Sequence, residues 1–146
     1  MREELQNKLY EKWPKLLSNL KKNRKANGSP LSWDGIDVGD GWYDIVDTLC
    51  KNIVLYSREY NRSNVDKFDC KVQQIKEKFG GLRFYIDGGD NHIHDLISKA
   101  ENTSEIVCEL CGTFDDVGKT DGWITTICQE CHSRINDNRH WRKIGD

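Results

Sequence analysis

Four cysteines carry the clearest chemistry in this chain. The stretch "CELCGTFDDVGKTDGWITTICQECH", residues 108–132, holds two Cys-x-x-Cys pairs, Cys108/Cys111 and Cys128/Cys131, with sixteen residues between them. Two residues between cysteines let a tight knuckle aim both sulfurs at one ion, and a hairpin of that length returns the second pair to complete a tetrahedron. Gly112 follows the first knuckle, where the backbone must turn sharply, "DGW" at 121–123 can form the hairpin turn, and "WITTI" reads as the return strand. The spacing predicts one structural Zn²⁺ held by Cys108, Cys111, Cys128 and Cys131. A filled four-thiolate shell leaves no open position for water or substrate, so such an ion stabilises the fold instead of acting on a ligand. Two other uses of the pairs stay open: a redox pair, which needs a strand–helix frame around one Cys-x-x-Cys, and disulfides. His132 could also stand in for Cys131 as the fourth ligand. Cys50 and Cys70 fall on apolar stripes and read as buried reduced thiols.

The remaining chemistry-bearing residues form no recognisable catalytic set. His92 and His94 make an H-x-H, but two residues apart on a helix they lie about 200° apart and cannot share a metal. The tail "CQECHSRINDNRHW" resembles the closing knuckle of HNH nucleases, yet "TFDDVGKTDGWITT" contains no histidine to act as general base. No phosphate-binding loop, dinucleotide fingerprint or nucleophile elbow is present. The residues therefore predict a protein that binds, not an enzyme.

The elements that must position the cysteines follow from periodicity. Leu5, Leu9, Trp13, Leu16, Leu17 and Leu20 recur at helical spacing and predict a helix over 2–22, kinked or divided at Pro14. "KKNRKANGSP" reads as a linker and "SWDGIDVGDGW" as a rigid loop ending in Asp40, a candidate helix cap. Trp42, Ile45, Val46, Leu49, Ile53 and Tyr56 form the apolar stripe of a helix over 41–60. "CKVQQIKEK" is strand-like with a slip in alternation between Val72 and Ile75, which suggests a bulge. "FGG" is a turn, and "LRFYID" alternates, so 69–87 reads as a β-hairpin with Leu82, Phe84 and Ile86 facing the 41–60 helix. Asp90 caps a third helix that buries Ile93, Leu96, Ile97 and Ala100. The expected fold is α+β: helices packed on a short antiparallel β-hairpin or sheet, with a C-terminal four-cysteine zinc ribbon. Three segments are expected: a basic amphipathic helix at 1–28, an α+β core at 29–105, and the ribbon with its tail at 106–146.

With 146 residues and a net charge of −2, the chain can bury a core of its own. The charge is uneven. Residues 1–25 carry eight Lys/Arg against three Asp/Glu, and residues 26–70 carry four against eight. The basic arm can meet nucleic acid, a membrane surface or an acidic protein, or serve as a solvated helix face. No run of apolar residues is long enough for a membrane span, and the N-terminus has no apolar signal core, so the cytosol is the expected compartment.

Three phrases in order, "GDGWYDIVDTLC", "QIKEKFGGLRFYID" and "CELCG…CQECH", resemble a family of small zinc-ribbon proteins encoded by tailed bacteriophages and prophages. The resemblance spans roughly residues 31–132 and carries over no catalytic residue. It implies a phage or prophage origin and action in the bacterial host cytoplasm. In that setting the leading expectation is a protein–protein inhibitor or modulator of a host defence protein. A nucleic-acid-binding accessory protein using the basic helix and the ribbon is the second. A nucleotide-sequestering protein using the loop around Trp33, Trp42 and Arg83 is the third. Trp42 and Trp123 read as core. Trp33 lies beside Asp34, Asp37 and Asp40, more carboxylates than capping requires, so Trp33, Asp37, Arg83 and Tyr85 form the candidate partner-binding surface for a basic protein. The plainer reading has Trp33 plugging the core and the aspartates solvating the loop.

Overall fold

The computed structural model describes residues 1–21 and 35–146. The "KKNRKANGSP" linker beyond Lys21, and Trp33 and Asp34 of the candidate surface, lie outside the described residues. The fold is α+β, with helices on a small sheet and a second small sheet at the cysteines.

Helix α1, Glu3–Lys12, carries Glu3 and Glu4 in its first turn and Lys12 in its last, the arrangement its dipole favours. It stops at Trp13 because Pro14 disfavours a helical residue before it. The chain turns through 13–17 and is helical again over 18–21. Leu9, Tyr10, Leu16, Leu17 and Leu20 are buried in the main core, so this basic segment is packed into the body. Asp47 fixes it from the side, accepting from Lys12 Nζ at 2.6 Å and Trp13 Nε1 at 2.8 Å.

A short strand β1, Ile36–Asp37, leads through a 3-10 turn, Asp40–Trp42, into helix α2, Tyr43–Ser63. Asp40 does not cap this helix. Its carboxylate accepts from the backbone N–H of Arg2 at 2.8 Å, tying the N-terminus down. Strands β2, Lys71–Lys78, and β3, Gly81–Asp87, form the expected hairpin, with a register shift between Val72 and Gln74. Phe79 (φ 54°) and Gly80 (φ 77°) make its turn, both in the left-handed region that two-residue hairpin turns demand. β1 adds to β2 in parallel, giving the order β1-β2-β3.

Asp90 caps helix α3, Asn91–Ser104, accepting from Ile93 N–H at 3.1 Å. The helix that packs chiefly against β3 is α3, with α2 stacked on α3 in the same core. α3 also covers the outer edge of the sheet. Ser104 Oγ accepts from Leu82 N–H at 2.9 Å and Glu101 Oε1 from Phe84 N–H at 3.0 Å, so edge donors that would otherwise invite another strand are satisfied. Leu82 and Phe84 are buried beneath these bonds. Phe84→Ala is expected to cost about 3–5 kcal/mol by chemical denaturation, from lost transfer energy plus the cavity.

The second sheet has the order β5-β4-β6, from β4 (Val117–Thr120), β5 (Thr126–Cys128) and β6 (Trp141–Lys143), with a short helix α4, Gln129–Arg134, after β5. β6 arises from the expected tail. Trp141 pins it, donating Nε1–H to Ile127 O at 2.8 Å and covering Gly118, where a Cβ would stand 2.4 Å from its ring. Trp123 is not a core residue. The return strand begins only at Thr126, and Trp123 sits in the preceding turn with 77% of its surface exposed.

Candidate metal centre and partner surface

The sulfurs of Cys108, Cys111, Cys128 and Cys131 all lie within 4.8 Å of one another, a group that can hold a metal ion. Cys111 Sγ and Cys128 Sγ are 3.8 Å apart. Four sulfurs placed tetrahedrally at about 2.3 Å from one ion would be roughly 3.8 Å apart, so the separation suits a thiolate-bound metal. The first knuckle closes on itself, with Gly112 N–H donating to Cys108 O at 2.9 Å and Gly112 at φ 81°. The second is built into α4, where Cys128 Sγ accepts from Cys131 N–H at 3.4 Å and caps the helix. Arg134 Nη2 donates to Cys131 Sγ at 3.3 Å, setting a positive charge beside the sulfur cluster.

Burial acts on these thiols in opposition to their donors. At Cys108 burial raises the thiol pKa, but the surrounding backbone N–H groups outweigh it and the net shift is downward. At Cys128 and Cys131 burial and the neighbouring sulfurs win, and both thiols are pushed up in the absence of an ion. A bound cation supplies the positive charge that lets such sulfurs ionise together. His132 turns away from the fourth position, its Nε2 bonded to Arg139 O at 3.0 Å. Cys50 and Cys70 are buried free thiols, each raised by burial, as their apolar stripes suggested.

The first knuckle is seated on the body by glycines. Gly41 N–H donates to Glu109 O at 2.8 Å and Gly39 N–H to Glu109 Oε1 at 3.0 Å. A Cβ on Gly41 would stand 2.2 Å from Cys108 O and 2.5 Å from Gly112 N. Trp42, fully buried, donates Nε1–H to Val107 O at 2.9 Å just before Cys108. Trp42 is thus a strut between body and ribbon and offers no face to a nucleotide. A second joint joins the two hairpins: Thr126 Oγ1 donates to Gly80 O at 2.5 Å, and Lys119 Nζ meets Glu105 Oε2 at 2.5 Å.

Asp37, Arg83 and Tyr85 come together on one face of the first sheet. Asp37 pairs with Lys76, and Lys76 with Arg83, so the three form a row across all the strands. Tyr85 stands in the next row opposite Gln74, with 44% of its surface exposed. Together with Lys78 on β2, the described part of this face carries more positive than negative charge, which suits an acidic partner better than the basic one expected. His92 and His94 are exposed, and the His92 ring lies 4.2 Å from that of Tyr56.

Three exposed aromatics escaped the sequence reading: Phe114, and, at the hairpin turns, Trp123 and Phe79, the last 70% exposed at the β2–β3 turn. The signal for Trp123 and Phe79 was their place beside a glycine turn, "DGW" and "FGG", where side chains leave the strand faces. Among the described residues no helix is long and apolar enough to cross a membrane. No family model, curated protein or solved structure matches the chain.

Proposed function

We propose that this chain is a zinc-stapled binding protein of phage or prophage origin, acting in the bacterial host cytoplasm as a modulator of a host defence protein. One Zn²⁺ held by the four cysteines has a structural role, because four thiolates fill its shell. The observation that supports a binding role best is the convergence of Asp37, Lys76, Arg83 and Tyr85 on the face of the sheet opposite the buried Ile36, Ile75 and Phe84. Tyrosine and arginine are the side chains that most often dominate protein contacts, and the cations steer an acidic surface toward them. The test is capture of host proteins from bacterial lysate at high salt by the tagged, metal-loaded chain, followed by mass spectrometry. Arg83→Ala and Tyr85→Ala are each expected to lose the captured protein while keeping metal content and melting temperature. Retention by both variants would move the function off this face. A nucleic-acid role is the second reading, favoured by exposed aromatics and by two cations that enter no ion pair among the described residues, described next.

A further inference from the structure

The seam where the two hairpins meet has an unusual surface. The loop carrying Trp123 is tightly ordered: Thr120 Oγ1 donates to Trp123 O at 3.0 Å, the Arg139 guanidinium donates to the same carbonyl, and Thr125 N–H donates to Thr120 Oγ1 at 2.9 Å. His140 N–H closes the loop base on Asp121 Oδ1 at 3.0 Å. These bonds hold the backbone, yet the indole they present is 77% exposed. Phe79 stands at the facing turn. The residue after each of these aromatics is part of the joint, since a Cβ on Gly80 would lie 2.8 Å from Ile124 Cγ2. The Cα atoms of Phe79 and Trp123 are therefore each one step, about 3.8 Å, from that of a residue in this contact. Lys78 Nζ lies 5.5 Å from the Phe79 ring centre. Arg142 is exposed and pairs in register with Lys119, whose ammonium reaches Glu105 and Thr126 at this joint. Lys119 is neutralised by Glu105, whereas Lys78 and Arg142 enter no ion pair among the described residues.

We propose that this seam binds a single strand of nucleic acid, with bases stacking on Trp123 and Phe79 and phosphates meeting Lys78 and Arg142. Two exposed aromatic rings on turns that meet, with Lys78 over the Phe79 ring and Arg142 opposite Lys119 of the joint, suit bases, because every base offers a flat π face and every linkage a negative charge. Lys78 also belongs to the sheet face that carries Arg83 and Tyr85, so Trp123 and Phe79 are the residues that distinguish this site from that one.

The probe is fluorescein-labelled oligo(dT) of fifteen nucleotides added to the metal-loaded full chain, read by anisotropy and by quenching of tryptophan fluorescence. Trp123 is the most exposed tryptophan among the described residues, and loss of the quenching in Trp123→Ala identifies it as the one a base reaches. Saturable binding with quenching is expected, weakened about tenfold by Trp123→Ala through the loss of one stacked base. Two phosphate contacts predict an affinity falling about sevenfold between 50 and 200 mM salt, and less steeply in the Lys78→Glu, Arg142→Glu double variant. Melting and metal content verify that each variant is folded. Binding unchanged by Trp123→Ala would overturn the proposal. So would equal competition by poly-L-glutamate, which would mark an acidic protein surface as the ligand, and so would dependence on Arg83 and Tyr85 instead of Trp123.

Discussion

Gly41→Ala is expected to lower stability by about 3 kcal/mol and to speed release of the bound metal to a chelator. The added methyl would lie 2.2 Å from Cys108 O, 2.5 Å from Gly112 N and 2.7 Å from Glu109 O, all backbone atoms of the first knuckle. No rotamer change relieves such a clash, so the knuckle must move away from the body. That motion stretches the bond from Gly41 N–H to Glu109 O and the one from Trp42 Nε1–H to Val107 O, and it opens the buried tryptophan to water. Overpacking commonly costs about 1–3 kcal/mol, and a contact made wholly with backbone belongs at the upper end. Gly41 is not in the left-handed region, so the effect is steric contact and not local strain. Urea denaturation and the rate of metal transfer to a colorimetric chelator measure the two consequences. Unchanged values for both would show that the body and the knuckle are not mechanically joined here.

Cys128→Ser should have a still larger effect. Serine keeps the approximate size of the side chain and an oxygen able to accept from Cys131 N–H, so the α4 cap is largely preserved while a metal-binding sulfur is lost. The ribbon's own core is small: Cys108, Val117, Ile127, Cys128 and Cys131 with Leu110 and Trp141 at its margin. Three of its five buried members are the proposed ligands themselves, so little apolar burial remains if the ion leaves. Apparent binding energies of structural zinc reach about 10–16 kcal/mol in small metal-folded units, comparable to the whole stability of a domain. One zinc per chain is expected in the wild type by elemental analysis and close to none in the variant, with loss of the near-ultraviolet signal of Trp141 and exposure of residues from 106 onward to protease. Strong chelation of the wild type should reproduce that state, whereas Cys50→Ser should leave the metal content unchanged because Cys50 lies in the other core. A metal-free protein that stays folded through residue 143 would contradict this account.

What the sequence determined by itself is what depends on near neighbours. The cysteine spacing specifies a four-sulfur cluster because knuckle geometry is set within four residues. The stripe from Trp42 to Tyr56 specifies α2, and Asp90 specifies its own cap on α3, because helices and caps are decided within a turn or two. The slip between Val72 and Ile75 marked the bulge, since alternation has a period of two and any extra residue breaks it. Only the tertiary structure decided what depends on distant partners. Asp40 had the right place for a cap, but Arg2, 38 residues away in sequence, claims its carboxylate. Trp123 fits a strand by composition, yet the hairpin turn projects it into water. The tail became β6 because Gly118 leaves space for the Trp141 ring. The glycines at 39, 41, 80 and 112 looked like separate turn signals. Gly112 and Gly80 do make turns, but together the four form the seats on which the ribbon meets the body, because a Cβ on any of them would stand about 2–3 Å from an atom of the other side. A contact between segments tens of residues apart leaves only a missing Cβ in the sequence, and nothing local says what that space receives.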